Sequence, residues 1–210
     1  MGRSKSSHQW LKSHFDDEFV KRAQREGYRS RAVYKLEEIQ RKDHLLKPGM
    51  TLVDLGAAPG GWSQYAAQLL KGNGRIIALD ILAMEALAGV EFLQGDFRED
   101  EVYTRLIGML AGNEVDLVMS DMAPNITGMQ AVDQPGSMYL AELAVDFAGR
   151  VLRKGGVLLF KAFQGEGFDP LVQALRARYR EIRIRKPRAS RPKSREVYVL
   201  AKHCNTTNVS

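Results

Sequence analysis

The chain has 210 residues, 44% of them hydrophobic, which is enough for one domain with a sizeable core. Its 31 Lys and Arg against 25 Asp and Glu give a formal net charge of +6, which points to a polyanionic partner, with nucleic acid the first candidate. One cysteine, Cys204, excludes internal disulfides and a zinc cage built on cysteines and fits a reducing cytoplasm, and no apolar run approaches the roughly 20 residues of a membrane span.

In chain order, MGRSKSSHQW lacks the apolar core of a signal peptide, and its Arg/Ser flavour, a weak hint of a transit peptide, ends at once in DDE. Residues 15–26 and 30–42 predict short helices, the second started by Ser30 and turning Ala32, Leu36 and Ile39 inward. Basic residues are dense here, including Lys12, Lys21, Arg22, Arg25, Arg29, Arg31 and Lys35. We therefore expect residues 1–50 to form a basic helical extension packed beside a sheet rather than a second domain.

From residue 51 short apolar runs alternate with amphipathic ones. TLVDL, RIIALD, VEFLQ, VDLVMSD, GGVLLFKAF, EIRIR and REVYVLA predict strands, several apolar on both faces as in a sheet covered on both sides. Residues 137–152 predict a helix starting at Ser137 after Pro135 and Gly136. Residues 169–179 predict another, with Asp169 as cap and Leu171, Leu175 and Tyr179 on one face. The alternation describes a Rossmann-like, doubly wound, mostly parallel α/β sheet of seven strands over residues 51–202. Only KPRASRPKS separates the last two strands, so the final strand is expected antiparallel at the sheet edge. Residues 203–210 read as a polar tail, whose two N-x-[ST] matches carry no weight in a chain that is not secreted.

The turn after the first strand, GAAPGG, is neither the G-x-G-x-x-G of pyrophosphate binding nor a P-loop. Its small residues, with Gly56 first, admit a ligand close to the backbone, and the following helix N-terminus favours a negative group such as a carboxylate. Asp54, Asp80 and Asp96 end three successive strands. Asp80 stands 24 residues beyond Gly56, where an acid binds ribose hydroxyls in nucleoside-binding sheets. Asp96 is poised for an adenine amino group, with Phe97 to pack on the ring. Together they describe a pocket for an adenosine bearing an amino acid, which is S-adenosylmethionine. His8, His14, His44 and His203 are scattered without ligand spacing, so no metal site is expected.

DLGAAPGGWSQY, SDMAPN, KAFQGEGF and SREVYVLA occur in this order, and with them the chain closely resembles the FtsJ-type (RrmJ-like) ribosomal RNA large-subunit methyltransferase E family. The similarity runs from about SRAVYKL to the last strand. The resemblance implies transfer of a methyl group from S-adenosylmethionine to the ribose 2′-hydroxyl of a uridine in the A-loop of 23S ribosomal RNA, on the assembled large subunit, by a cytoplasmic monomer. It implies cofactor contacts at Gly60, Trp62, Asp80, Asp96 and Asp121, and a catalytic Lys-Asp-Lys-Glu tetrad of Lys35, Asp121, Lys161 and Glu196. It leaves no room for a cleaved transit peptide and favours a bacterial protein over a mitochondrial relative.

The residues can be weighed without the family. Lys161 is a lone cation after six uncharged residues, either at the sheet rim or facing the site. Asp121 ends the fourth strand and is followed by MAP rather than the PPY of many base amino-methylating enzymes, which argues against a flipped base stacked there. Glu196 shares a strand face with Tyr198. Lys35 lies about 90° from the centre of its apolar stripe and either reaches inward or pairs with Glu38 outside. A 2′-hydroxyl is a poor nucleophile, so the protein has to position it and remove or orient its proton. A lysine removes a proton only when neutral, which burial or a second cation promotes and neighbouring carboxylates oppose.

RIRKPRASRPKSR, residues 183–195, carries seven cations and two prolines but no aromatic residue. We expect Arg188, Arg191 and Lys193 to form one side of a phosphate-binding groove, with Arg29 and Arg31 of the extension on the other. A nicotinamide-dependent oxidoreductase would share the sheet and Asp80 but should show G-x-G-x-x-G. A non-catalytic RNA-binding assembly factor would need neither methyl-donor pocket nor tetrad, and a transfer RNA ribose methyltransferase is the nearest alternative within the family.

Overall fold

The computed structural model describes residues 17–191 and 194–205. Within them the apolar runs pair into one sheet: β1 (Thr51–Leu55), β2 (Arg75–Asp80), β3 (Val90–Gln94), β4 (Val115–Ser120), β5 (Leu152–Phe163), β6 (Tyr179–Arg185) and β7 (Glu196–Cys204). The order is β3-β2-β1-β4-β5-β7-β6. The first five strands are parallel neighbours, and β7 pairs antiparallel with both β5 and β6. The chain leaves β1 towards β2 on one side and returns to β4 on the other, which opens a crevice at the carboxyl ends of β1 and β4.

Strand alternation assigns the two faces. Val53, Leu55, Ile77, Val118, Phe160 and Val199 point to the face covered by α4 (Asp100–Leu110), α5 (Gln130–Val151) and α6 (Phe168–Arg176). Leu52, Ile76, Leu117, Leu159 and Leu200 point to the face covered by α2 (Val33–Asp43) and α3 (Gly61–Leu70). By the same period of two, Asp54, Lys161, Glu196 and Tyr198 belong to the second face. α1 (Glu18–Glu26) precedes α2, and its Ala23 packs with Val33, Tyr34 and Ala189.

α2 is fastened at both ends. The Trp62 indole donates to the Ala32 carbonyl at 2.8 Å, and the buried Asp43 carboxylate takes Arg183 and Arg185 at 2.7 Å each. Burial alone would push the Asp43 carboxyl up, but the two guanidinium groups hold it below its ordinary range.

Several sequence expectations are corrected. β7 lies between β5 and β6, not at the edge. Its segment Val197–Ala201 is buried on both faces, whereas β6 exposes Arg180 and Ile184 and suits an edge. α5 starts at Gln130, with Pro135 inside it. A proline near a helix start removes only one intrahelical bond, and Asp133 steadies this end by accepting from the Thr127 and Gly128 N-H groups. Ser30 caps nothing: α2 begins after Ala32 without a side-chain cap. α6 is preceded by Gly167 at φ 83° instead of an Asp169 cap, and Tyr179 belongs to β6. β7 also extends to Cys204, taking in the first two residues read as tail.

Candidate active site

Two cavities open at the crevice and share Ala123 in their walls. The first, about 300 Å³, is bounded by Gly56, Asp80, Asp96, Phe97, Met122 and Pro124. Gly56 has φ 77°, and a Cβ there would lie 2.8 Å from the Met122 backbone nitrogen, so only glycine lets the loop pass this close to the end of β4. Asp80 accepts the Ala58 N-H at 2.9 Å and the Leu82 N-H at 2.8 Å, which fixes its carboxylate against the glycine loop. Asp96 is gripped by the Arg98 guanidinium, whose hydrogen bonds hold its carboxyl below the ordinary range. Phe97 meets Phe147 edge to face at 5.5 Å and lines the cavity.

The second cavity, about 610 Å³, has Lys35, Lys161, Glu196, Arg31, Arg191 and Arg195 in its walls. Asp121 joins its two lysines. Lys161 donates to Asp121 Oδ1 at 2.9 Å and to the Asp121 carbonyl at 2.5 Å. Lys35 lies 3.9 Å from the same Oδ1 and 2.9 Å from Glu196 Oε1. The β5–β7 register sets this meeting, with Lys161 opposite Tyr198 and Phe163 opposite Glu196. Lys35 reaches inward, and Glu38, its possible outer partner, is engaged by Lys42 and by the Arg188 N-H.

Sequence reasoning passed over Tyr198 as a site residue. It is 0% exposed, accepts from Lys35 Nζ at 3.0 Å and donates to Asp121 Oδ1 at 2.6 Å. Burial first, then the charges of Asp121 and Glu196, push its phenol far above its ordinary pKa, so it remains a donor. Its signal was there, two residues beyond Glu196 on the same strand face. Ser190, which donates to Glu196 Oε1 at 2.7 Å, had none. For Asp121, burial raises the carboxyl, but Lys161 and Lys35, with hydrogen bonds from Tyr198 and Lys161, bring it below its ordinary value. The site is thus an ionised carboxylate bridging two amines.

Other expected residues sit differently. Trp62 is buried against Tyr198, ring centroids 5.6 Å apart, and lines neither cavity. Gly60, at φ 107°, precedes α3. Arg31 bridges Asp17 and the Ala189 carbonyl at the rim of the second cavity. Arg29 binds three backbone carbonyls. Arg188 and Arg191 are exposed, and Lys193 lies outside the described residues. No group of three or more His, Cys, Asp or Glu among the described residues could hold a metal ion, and no described helix is long and apolar enough to cross a membrane.

Asp54 lies beneath the glycine loop with 0% exposure, receiving the Ser63 hydroxyl at 2.6 Å, while its Oδ1 has no hydrogen-bond partner among the described residues. An orphaned oxygen is tolerated better by a neutral carboxyl than by a carboxylate. Burial, aided by Asp121 and Asp80, pushes its pKa up to about 7. The folded protein therefore keeps a proton that the unfolded chain releases near pH 4, so stability from this group is lost as pH rises from about 4 to 7 and is level above. Asp54→Asn is expected to match the wild type near pH 4.5 and to exceed it at pH 8 by about 2–4 kcal/mol. Denaturant titrations of both proteins at the two pH values check this; a difference independent of pH would remove Asp54 as the titrating group.

A family model described as FtsJ-like methyltransferase matches residues 28–204. The chain is 59% identical over 205 residues to the ribosomal RNA large subunit methyltransferase E of Legionella pneumophila, covering 98% of this chain and 100% of that one. It is 58% identical over 202 residues to the Pseudomonas aeruginosa protein of the same name, covering 96% and 98%. Among solved structures, a ribosomal RNA methyltransferase from Plasmodium falciparum superposes with TM-score 0.77 at 28% identity, over 86% of this chain and 100% of that chain. The matched span contains the glycine loop, the strand-end acids and the whole Lys35, Asp121, Lys161 and Glu196 network, and the chain belongs to the FtsJ-like methyltransferase family.

Proposed function

We propose that this methyltransferase acts with S-adenosylmethionine on the ribose 2′-hydroxyl of a uridine in the A-loop of 23S ribosomal RNA, in the assembled large subunit, as a cytoplasmic monomer. The observation that carries the reading is the adjacency of the two cavities: one with strand-end acids and apolar walls, the next with Lys161 at its wall and arginines at its rim. The relatives named ribosomal RNA large subunit methyltransferase E support the substrate class.

The first cavity fits the cofactor chemically. Asp80 accepts one N-H on each oxygen and keeps lone pairs for ribose hydroxyls, Asp96 would take an adenine amine by yielding a contact with Arg98, and Phe97, Met122 and Pro124 offer apolar surface to a ring. When bound, the sulfonium supplies an activated methyl group. The remaining task falls to side chains. Lys161 removes or orients the hydroxyl proton, Asp121 fixes the amine, and Lys35, steered by Glu196 and Tyr198, places a second cation beside it. Arg31, Arg191 and Arg195 face the phosphates.

Mapping ribose methylation in ribosomal and transfer RNA of a deletion strain tests the proposal. Loss of one A-loop 2′-O-methyl group supports it, and loss confined to transfer RNA would replace the substrate. Replacing Arg188, Arg191 and Lys193 by alanine is expected to weaken RNA binding, with cofactor affinity intact. The slope of log affinity against log salt should flatten by up to about 3, nearly one per lost phosphate contact. An unchanged slope would return this loop to solvent.

A further inference from the structure

The loop after β2, residues 81–89, is mostly exposed, yet its first residue, Ile81, lines the first cavity. Two ties hold it to the glycine loop. On the cavity side the Asp80 carboxylate bridges the Ala58 and Leu82 N-H groups. On the outer side one guanidinium bridges the carbonyls: Arg29 Nη1 donates to Pro59 at 3.3 Å and Glu85 at 2.7 Å, and Nη2 donates to Ala86 at 2.9 Å. The mount of Arg29 is itself fixed, because Gln64 of α3 accepts the Arg29 N-H at 3.0 Å and donates to the Gly27 carbonyl at 2.9 Å. Gly60 leaves the room required. A Cβ there would lie 3.1 Å from Arg29 Cδ and 2.9 Å from Met84 Sδ.

We infer that Arg29 is a positioning residue of the cofactor cavity, an outer staple between the glycine loop and the 81–89 loop, and not an RNA phosphate contact. The inference rests on the reading that this cavity takes S-adenosylmethionine. Three carbonyls in two segments need a forked donor, so charge alone does not replace it: a lysine ammonium is a point donor on a flexible stem. With the staple gone the competent loop arrangement is populated only part of the time, and apparent affinity falls by that fraction.

The test uses the full-length protein with Arg29→Ala and Arg29→Lys, calorimetric titration with S-adenosylmethionine, steady-state methyl transfer to large-subunit particles, and RNA binding at several salt concentrations. Both variants are expected to melt like the wild type and bind cofactor about 10- to 100-fold more weakly, the scale of one or two lost hydrogen bonds from a charged donor. The KM for cofactor should rise while kcat at saturation and the salt slope of RNA binding stay unchanged, a split that general destabilisation does not produce. Wild-type cofactor affinity in the variants, full rescue by lysine, or a salt slope flatter by about one would overturn the inference. Absence of S-adenosylmethionine binding by the wild type would instead overturn the reading of the cavity, and the inference with it. If the alanine variant does not fold, the lysine variant decides alone.

Discussion

Lys161→Ala is expected to fold, to bind S-adenosylmethionine and RNA nearly as the wild type does, and to lose about 10²- to 10⁴-fold in methyl transfer, the range a positioned proton acceptor contributes. Lys161 is 8% exposed, and its amine is held by two acceptors of one residue, the side chain and the carbonyl of Asp121. That leaves one direction at nitrogen for a third N-H or a lone pair, available to a hydroxyl in the second cavity. Arginine in its place keeps the charge beside Asp121 but stays protonated and cannot accept a proton. Single-turnover transfer of labelled methyl to large-subunit particles, beside titrations of each ligand, separates the outcomes. Wild-type transfer by the alanine variant would remove Lys161 from the mechanism. Strong rescue by arginine would leave it as an electrostatic or positioning group and end its role as a base.

What the sequence made legible was whatever period and strand ends encode. The strands were set by runs of apolar residues, and acids at the ends of β2 and β4, Asp80 and Asp121, reach the crevice because a doubly wound sheet opens there. Lys35 and Glu196 came from motif resemblance, since a lysine flanking a helix stripe and a glutamate on a strand read equally well as solvated; only the fastening of α2 by Trp62 and Asp43 turns Lys35 inward. Contacts with backbone carbonyls stayed hidden. Arg29 looks like any cation of a basic segment, and its partners at Pro59, Glu85 and Ala86 carry no side-chain signature. Position within the sheet was hidden as well: β7 becomes a central strand because its two apolar faces win over the short connection that suggested an edge. Asp54 shows the limit from the other direction, since a strand-end acid in line with its neighbours is turned under α3 by Ser63.

Asp121→Ala is expected to have the largest combined effect, because one carboxylate oxygen joins two donors and a second amine. Lys161, Tyr198 and Lys35 lie 2.9, 2.6 and 3.9 Å from Asp121 Oδ1. Removing it leaves two partly buried amines with only Glu196 for charge, and breaking such a pair costs about 3–5 kcal/mol of stability. Asp121→Asn separates fold from chemistry, since it keeps the volume and an acceptor oxygen for Tyr198 and Lys161 but not the charge. It is expected to fold and still lose at least about 10²-fold in transfer, because the amine of Lys161 is no longer fixed by an anion. The Asp121 carboxyl lies below its ordinary 3.8, so its stabilisation is fully present above that pH and is lost as pH falls through the lower folded value. The stability gap between wild type and Asn variant should therefore be flat from about pH 5 to 8 and close in stronger acid. Glu196→Gln provides the contrast, since Glu196 reaches Lys35 and Ser190 rather than Lys161, and a loss of only about tenfold is expected from weakened steering of the second cation. Equal losses for Asp121→Asn and Glu196→Gln would break this ordering and assign the decisive contact to Lys35.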